Sequence, residues 1–388
     1  MGRLFYLCWL FPLPLVVLTL AGYVRYLLTY RKRMGTSGAT EAIIQITTVG
    51  NYRTVSGIVR RIREYELPFP YVVWVVVEPG VENHYEGADE VIEVPEDFDC
   101  RASYKARAQE YSRRVRQSRG LDRHDVKVIM LDDDSLPTRR YLVDVFGADY
   151  DICEGILAPR NNYGRFLSHV DDLRTLACLT ECAFWQGCGH PMWVHGEGLT
   201  LRGSAESIVT WNFPVKASED LTVGHNAVER GLTFGFVYSV IEVTSPWTWR
   251  DFSTQRRRWV WGNIHALRAG LLPPLSAARV AMRWLIGLLV QLLVTIALIS
   301  TPFHHWNYPH PFRGLLVLSL VSFFATFALA CWVGSKTATA SLWVRLLNTG
   351  VGTFLAPVSS LVTSYVLLAS LARGAPQGFD VIEKERPE

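Results

Sequence analysis

Four long apolar stretches, residues 4–30, 281–303, 315–333 and 353–372, bracket one charged stretch of about two hundred residues. The first carries a single charge, Arg25, and each is close to the roughly 20 apolar residues that cross a hydrocarbon core. Lipid offers no hydrogen-bond partners, so such segments must be helical and satisfy their own backbone. The chain is therefore expected to keep its chemistry in residues 41–245, with one membrane helix before them and a bundle after them.

Basic residues flank the spans. Arg25, Arg31, Lys32 and Arg33 follow the first, and Arg256, Arg257, Arg258 and Arg268 precede the second. By the positive-inside rule the central domain faces the cytoplasm, giving a multi-pass integral membrane protein. The expected division is 1–40, a membrane helix with its basic flank; 41–245, the cytoplasmic domain; 246–280, a helical segment at the membrane interface; 281–373, the C-terminal membrane bundle; and 374–388, a polar tail. The segment 336–352 is read as lying along the inner surface. A cleaved signal peptide is disfavoured, because the first stretch is too long and no small-residue cleavage site follows it.

A net charge of +3 on 388 residues does not call for nucleic acid as a partner, and the basic clusters are explained by the membrane. Seven cysteines in a cytoplasmic setting read as reduced thiols. Cys178, Cys182, Cys188 and His190 have ligand types but not paired zinc-site spacing, so a structural zinc is not expected. His304, His305 and His310 sit among prolines and read as solvated.

Within the domain, an apolar run at 43–47 leads through Thr48 into Val55, Ile58, Val59 and Ile62 at helical spacing: strand, loop, helix. YVVWVVV at 71–77 has no polar alternation, which suits a parallel strand covered on both faces, and ends at Glu78. A weaker strand at 91–94, a helix over 101–119 and a buried strand VKVIML at 126–131 follow. Alternation of this kind predicts an α/β sheet with ligands gathered beyond the strand ends, where Thr48, Glu78 and Asp132-Asp133-Asp134 stand.

Three adjacent carboxylates repel one another unless a cation neutralises them. A hard divalent ion takes one or two carboxylates and completes its shell with substrate phosphate. If the backbone stays extended, Asp132 and Asp134 point the same way and form such a site; a solvated acidic turn is the competing reading. Ser218 is a candidate N-cap for a helix ending near Gly231, with Glu219 and Asp220 in its first turn. There the helix dipole would favour an ionised Asp220, as a general base requires, although acids cap helices without any catalytic role. Gln255-Arg256-Arg257-Arg258-Trp259 reads either as a basic amphipathic helix on headgroups or as part of a site.

The order of these motifs resembles the family-2 inverting glycosyltransferases, a GT-A (Rossmann-like) fold group that includes cellulose and hyaluronan synthases. It rests on Lys105 in YKARA, Asp132-x-Asp134 in LDDDSLPTRRYL, Glu219-Asp220 in SEDLTVG, and Gln255-x-x-Arg258-Trp259. Within that group SPWTWRDFSTQRRRWVWGN is similar to Egghead-type β-1,4-mannosyltransferases. The resemblance implies Asp220 as catalytic base and Asp132 and Asp134 as ligands of Mg²⁺ or Mn²⁺. It implies donor contacts from Thr48, Lys105, Asp132 and Arg258, with Gln255, Arg258 and Trp259 bordering the diphosphate. Acceptor contacts would come from Gly196, Glu197, Glu219 and Trp259. Glu78 stands where the family has aspartate, so its contact with the nucleotide base and a plain strand-end acid stay equally open.

The implied reaction is transfer of a hexose from a nucleotide-sugar donor, GDP-mannose on the closer match, to a lipid-linked or saccharide acceptor with a β-glycosidic product. Two other functions remain open at this point: a processive synthase that extrudes a polymer made from a UDP-sugar, and a non-catalytic sensor of nucleotide sugars.

Overall fold

A computed structural model describes residues 13–29, 36–81, 84–160, 165–300, 310–335 and 341–376. The expectations for the basic flank at 31–33, for His304 and His305 and for the polar tail from 377 on lie outside those residues.

An eight-stranded sheet carries the central domain. Its strands are β1 (Glu41–Thr48), β2 (Tyr71–Val77), β3 (Glu90–Glu93), β4 (Val126–Asp132), β5 (Leu136–Pro137), β6 (Ile152–Pro159), β7 (Thr200–Arg202) and β8 (Phe234–Val243), in the order β3-β2-β1-β4-β7-β6-β8-β5. The first four of that order pair in parallel, as the unbroken apolar runs predict. Beyond β4 the sheet is mixed, not wholly parallel: β6 and β8 pair in parallel, but β7 pairs antiparallel with both β4 and β6, and β5 antiparallel with β8. β7 is only three residues long, too short to show a periodicity in sequence.

Helices α1 (Leu13–Thr29), α2 (Tyr52–Arg63) and α3 (Lys105–Ser118) precede β4, and α4 (Arg139–Gly147) follows it. α2 buries Val55, Ile58, Val59 and Ile62, each contributing about 1.5–3 kcal/mol by leaving water. α3 starts at Lys105 rather than at 101, because Tyr104 adopts φ 56° and breaks the helical path. After β6 come α5 (Phe166–Ala177), a π-helical turn at Cys178–Cys182, and α6 (Ala183–Gly187); after β7 come α7 (Gly203–Val209) and α8 (Glu219–Glu229). Lys127, an unexpected charge within β4, is buried and donates to the carbonyls of Ala148 (3.0 Å) and Tyr150 (2.7 Å), with its pKa lowered by burial.

Four helices close the chain: α9 (Trp249–Arg268), α10 (Pro274–Ser300), α11 (His310–Gly334) and α12 (Leu342–Ala372). The last three exceed the expected spans at their N-termini. Residues 342–352 therefore continue α12 instead of forming a separate surface segment. Among the described residues, α12 is the one helix long and apolar enough by itself to cross a membrane. α12 packs on α11 and α9, α11 on α5, and α1 on the π-helical turn, so the apolar helices rest directly on the sheet domain.

α9 also corrects an expectation. Arg257 does not reach for headgroups: its Nε donates to Gly374 O at 2.8 Å and its Nη2 to Arg373 O at 3.1 Å, beyond the C-terminus of α12. Trp261 Nε1 donates to Ser370 O at 2.9 Å. Half of the basic–aromatic run thus fastens α9 to α12, and this leaves the other half to face inward.

Candidate active site

A cavity of 720 Å³ opens at the carboxyl end of β4. Asp132, Lys105, Gly196, Glu197, Glu219, Asp220, Arg258 and Trp259 all line it, although they come from five separate parts of the chain. Lys105, at the first turn of α3, is bonded to Asp132 and lies 3.7 Å from Glu219 Oε1. Its pKa is raised: burial alone would lower it, but Asp132, Glu219 and Asp220 together outweigh that.

Asp220 is held differently from the expectation. Ser218 has left-handed backbone (φ 62°, ψ 34°) and makes no side-chain cap; its hydroxyl donates to Asn263 Oδ1 at 2.8 Å. Asp220 Oδ1 instead accepts from Leu221 N at 2.8 Å. The helix end does not keep this acid strongly ionised. Burial, with the neighbouring Glu219 charge, pushes its pKa up to about 7 against the pull of Lys105. That value suits a base which must both lose and take a proton near neutral pH.

The acceptor-side loop lies against this pair. A Cβ at Gly196 would stand 2.6 Å from Lys105 Nζ and 3.4 Å from Asp220 Oδ2, so the bare backbone is what permits the approach. Gly198 has φ +84°, and its carbonyl accepts from Tyr141. Glu197 accepts from Arg174 Nη2 at 2.5 Å, and its pKa is lowered, because Arg174, His195 and Lys105 outweigh the opposing effect of burial.

Arg174 was not anticipated. It lies on α5 beside Asp171, which binds Arg256 and accepts from Ser245 Oγ at 2.8 Å. The guanidinium carbons of Arg256 and Arg174 stand 4.4 and 4.9 Å from the centre of the Trp259 ring. Trp259 is thus gripped by two cations. The available signal was Asp171, Asp172 and Arg174 clustered within one helical turn, charges that a buried helix face does not carry without partners.

Four candidates are not in the cavity lining: Thr48, Glu78, Asp134 and Gln255. Thr48 receives Gly50 N and Asn51 N at 3.1 and 3.2 Å and donates to Asp133 Oδ2 at 3.2 Å, tying the start of α2 to the acidic turn. Glu78 pairs with Arg107 at 2.7 Å, and its pKa is raised by burial despite that cation. Gln255 is 93% buried inside α9, with Oε1 meeting no hydrogen-bond partner among the described residues. Asp134 is also buried, since the chain turns directly after Asp132, with Ser135 N bonded to Asp132 O at 3.0 Å. The extended backbone assumed for an Asp132-x-Asp134 pair is absent. In its place Asp133 accepts from Asn51 Nδ2 at 2.5 Å and Asp132 faces the cavity. The donor set nonetheless fits a hard cation in kind, carboxylate oxygens at a strand end beside space for phosphate.

Cys178, Cys182, Cys188 and His190 do not gather. Cys178 and Cys182 meet a different histidine, His195, whose Nε2 lies 3.6 and 3.4 Å from their sulfurs. Cys188 is exposed.

A mixed α/β sheet of GT-A type, with acids at its strand ends and a basic–aromatic helix closing over them, defines a glycosyltransferase. The chain belongs to glycosyl transferase family group 2, whose model matches residues 127–370. Among solved structures it is similar in fold to the mannosyltransferase PcManGT from Pyrobaculum calidifontis in complex with GDP-Man and Mn²⁺, at 15% identity and a TM-score of 0.51 over 92% of this chain and 96% of that one. A mannosyl-3-phosphoglycerate synthase from Rubrobacter xylanophilus aligns at 16% identity, TM-score 0.38, over 62% and 78% of the two chains. Comparison with curated protein sequences finds no match.

Proposed function

We propose that this chain is a membrane-bound inverting hexosyltransferase that moves mannose from GDP-mannose onto a lipid-linked acceptor, forming a β-glycosidic bond at the cytoplasmic face. The observation that carries this reading is the extent of the cavity. From Asp132, Lys105 and Asp220 it continues past Arg283 and Trp284 to Leu288, Phe323, Phe324, Leu361 and Leu367 of α10, α11 and α12. A water-soluble sugar acceptor needs no apolar wall. An acceptor with a hydrocarbon tail does, and a polar head drawn down from the bilayer would meet Asp220 at the inner end. Exposed Met282, Leu285, Val317, Val321, Trp343 and Phe354 on the outer faces of the same helices suit contact with lipid.

In this reading Asp220 removes the acceptor hydroxyl proton while that oxygen attacks the anomeric carbon opposite the leaving diphosphate. Glu197 and Gly196 orient the acceptor, and Arg258 and Lys105 stabilise the charge that grows on the leaving group. Asp132, with Asp134 after a change in the turn, would hold Mg²⁺ or Mn²⁺, which supplies further positive charge beside the diphosphate. GDP-mannose is supported by the Egghead-like SPWTWRDFSTQRRRW segment and by the fold likeness to a structure holding GDP-Man.

Membranes containing the chain, given radiolabelled GDP-mannose, UDP-glucose and UDP-N-acetylglucosamine in turn, test this. The expected outcome is label from GDP-mannose in an organic-extractable product that β-mannosidase releases. Label only from a UDP-sugar would overturn the donor, and label only in a water-soluble polymer would overturn the lipid acceptor.

A further inference from the structure

Cys178 and Cys182 lie four apart in the π-helical turn, which brings both sulfurs to one face. His195 arrives from the loop before β7 and puts Nε2 at 3.6 Å from the first sulfur and 3.4 Å from the second. A tetrahedral zinc ion with Zn–S near 2.3 Å and Zn–N near 2.0–2.1 Å separates sulfur and nitrogen by about 3.5 Å. The two observed spacings bracket that edge, and all three ligand atoms lie within 4.8 Å of one another.

We infer that Cys178, Cys182 and His195 form a binding site for a soft divalent metal of the zinc class, which clamps the acceptor loop to the end of α5. Two thiolates and one neutral imidazole leave such an ion with no net charge, which suits the complete burial of both cysteines. Glu154, also fully buried, supports the site from behind: Oε2 accepts from His195 N at 2.7 Å and Oε1 from Gln186, fixing the backbone that carries the imidazole. Sulfur ligands select zinc over the Mg²⁺ or Mn²⁺ that carboxylates prefer, so this site and the strand-end acids would not compete for one ion. The clamp matters to the reaction because Gly196 and Glu197 follow His195 directly. The inference does not depend on which sugar is transferred.

The full chain, purified in detergent without a polyhistidine tag and dialysed against a mild chelator, is analysed for metal by mass spectrometry. About one zinc per chain is expected. Cys178→Ser with Cys182→Ser should lose it and Cys188→Ser should keep it. Zinc that persists in the double variant overturns the site. Should the double variant fail to fold, the wild-type chain still decides the matter: exchange for Co²⁺ should produce an intense near-ultraviolet sulfur-to-cobalt band, and a cobalt-loaded protein without that band overturns the inference. So does a wild-type chain free of zinc, whether its thiols are freely reactive or joined as a disulfide two hydrogens lighter.

Discussion

Lys105 binds Asp132 while standing 3.7 Å from Glu219 Oε1, so one ammonium joins the acid at the end of β4 to the acid pair opening α8. Lys105→Met removes the cation that opposes the raised pKa of Asp220. The acid limb of the kcat/KM profile should move to higher pH, and donor affinity should fall. A profile unchanged in position would show that the lysine does not act on Asp220.

Asp220 itself should set that limb. Its pKa is pushed up to about 7, so the carboxylate is largely protonated below that value and gains its negative charge as pH rises through it. Transfer should therefore rise with pH, reaching half its limit near pH 7. Asp220→Asn should cost about 10² to 10⁴ in rate while nucleotide binding measured by calorimetry persists.

Gly196→Ala puts a methyl 2.6 Å from the end of Lys105 and 3.4 Å from Asp220 Oδ2. The lysine can yield, so the variant should fold with a melting temperature near that of the wild type. Transfer should drop at least tenfold, with KM for the acceptor rising more than KM for the donor. Equal effects on both would count against the loop as an acceptor element.

Arg174→Met leaves Glu197 charged and without its guanidinium partner in a largely buried position, and removes one of the two cations over Trp259. Breaking such a pair costs about 3–5 kcal/mol. Thermal unfolding should report the loss, and Arg174→Met with Glu197→Gln should recover part of it. No recovery in the double variant would show that the two residues are not energetically coupled.

Activity should require Mg²⁺ or Mn²⁺ and vanish in excess chelator. Asp134→Ala should weaken metal-dependent nucleotide binding in the same calorimetric titration. Unimpaired binding would assign the metal to Asp132 and the turn alone, since Asp134 lies outside the cavity.

The sequence by itself determined the parallel half of the sheet, the acids at the end of β4, the Glu219-Asp220 turn and the apolar helices. Each of these is written in consecutive residues or in a fixed period: unbroken β-branched runs, carboxylates adjoining a strand, apolar residues sustained for the length of a span. Only the tertiary structure decided which arginines of the Gln255–Trp259 run fasten α9 and which face the cavity, because α5 and α12 supply their partners from distant positions. The pKa of Asp220 was likewise beyond local reading. A helix N-terminus predicts a lowered value, whereas burial beside Glu219 raises it, and burial is a property of the packed chain. The same holds for Asp134, where a backbone turn removed the assumed alternation. His195 was invisible as the partner of Cys178 and Cys182, since no fixed spacing links a helical turn to a loop that only the sheet brings beside it.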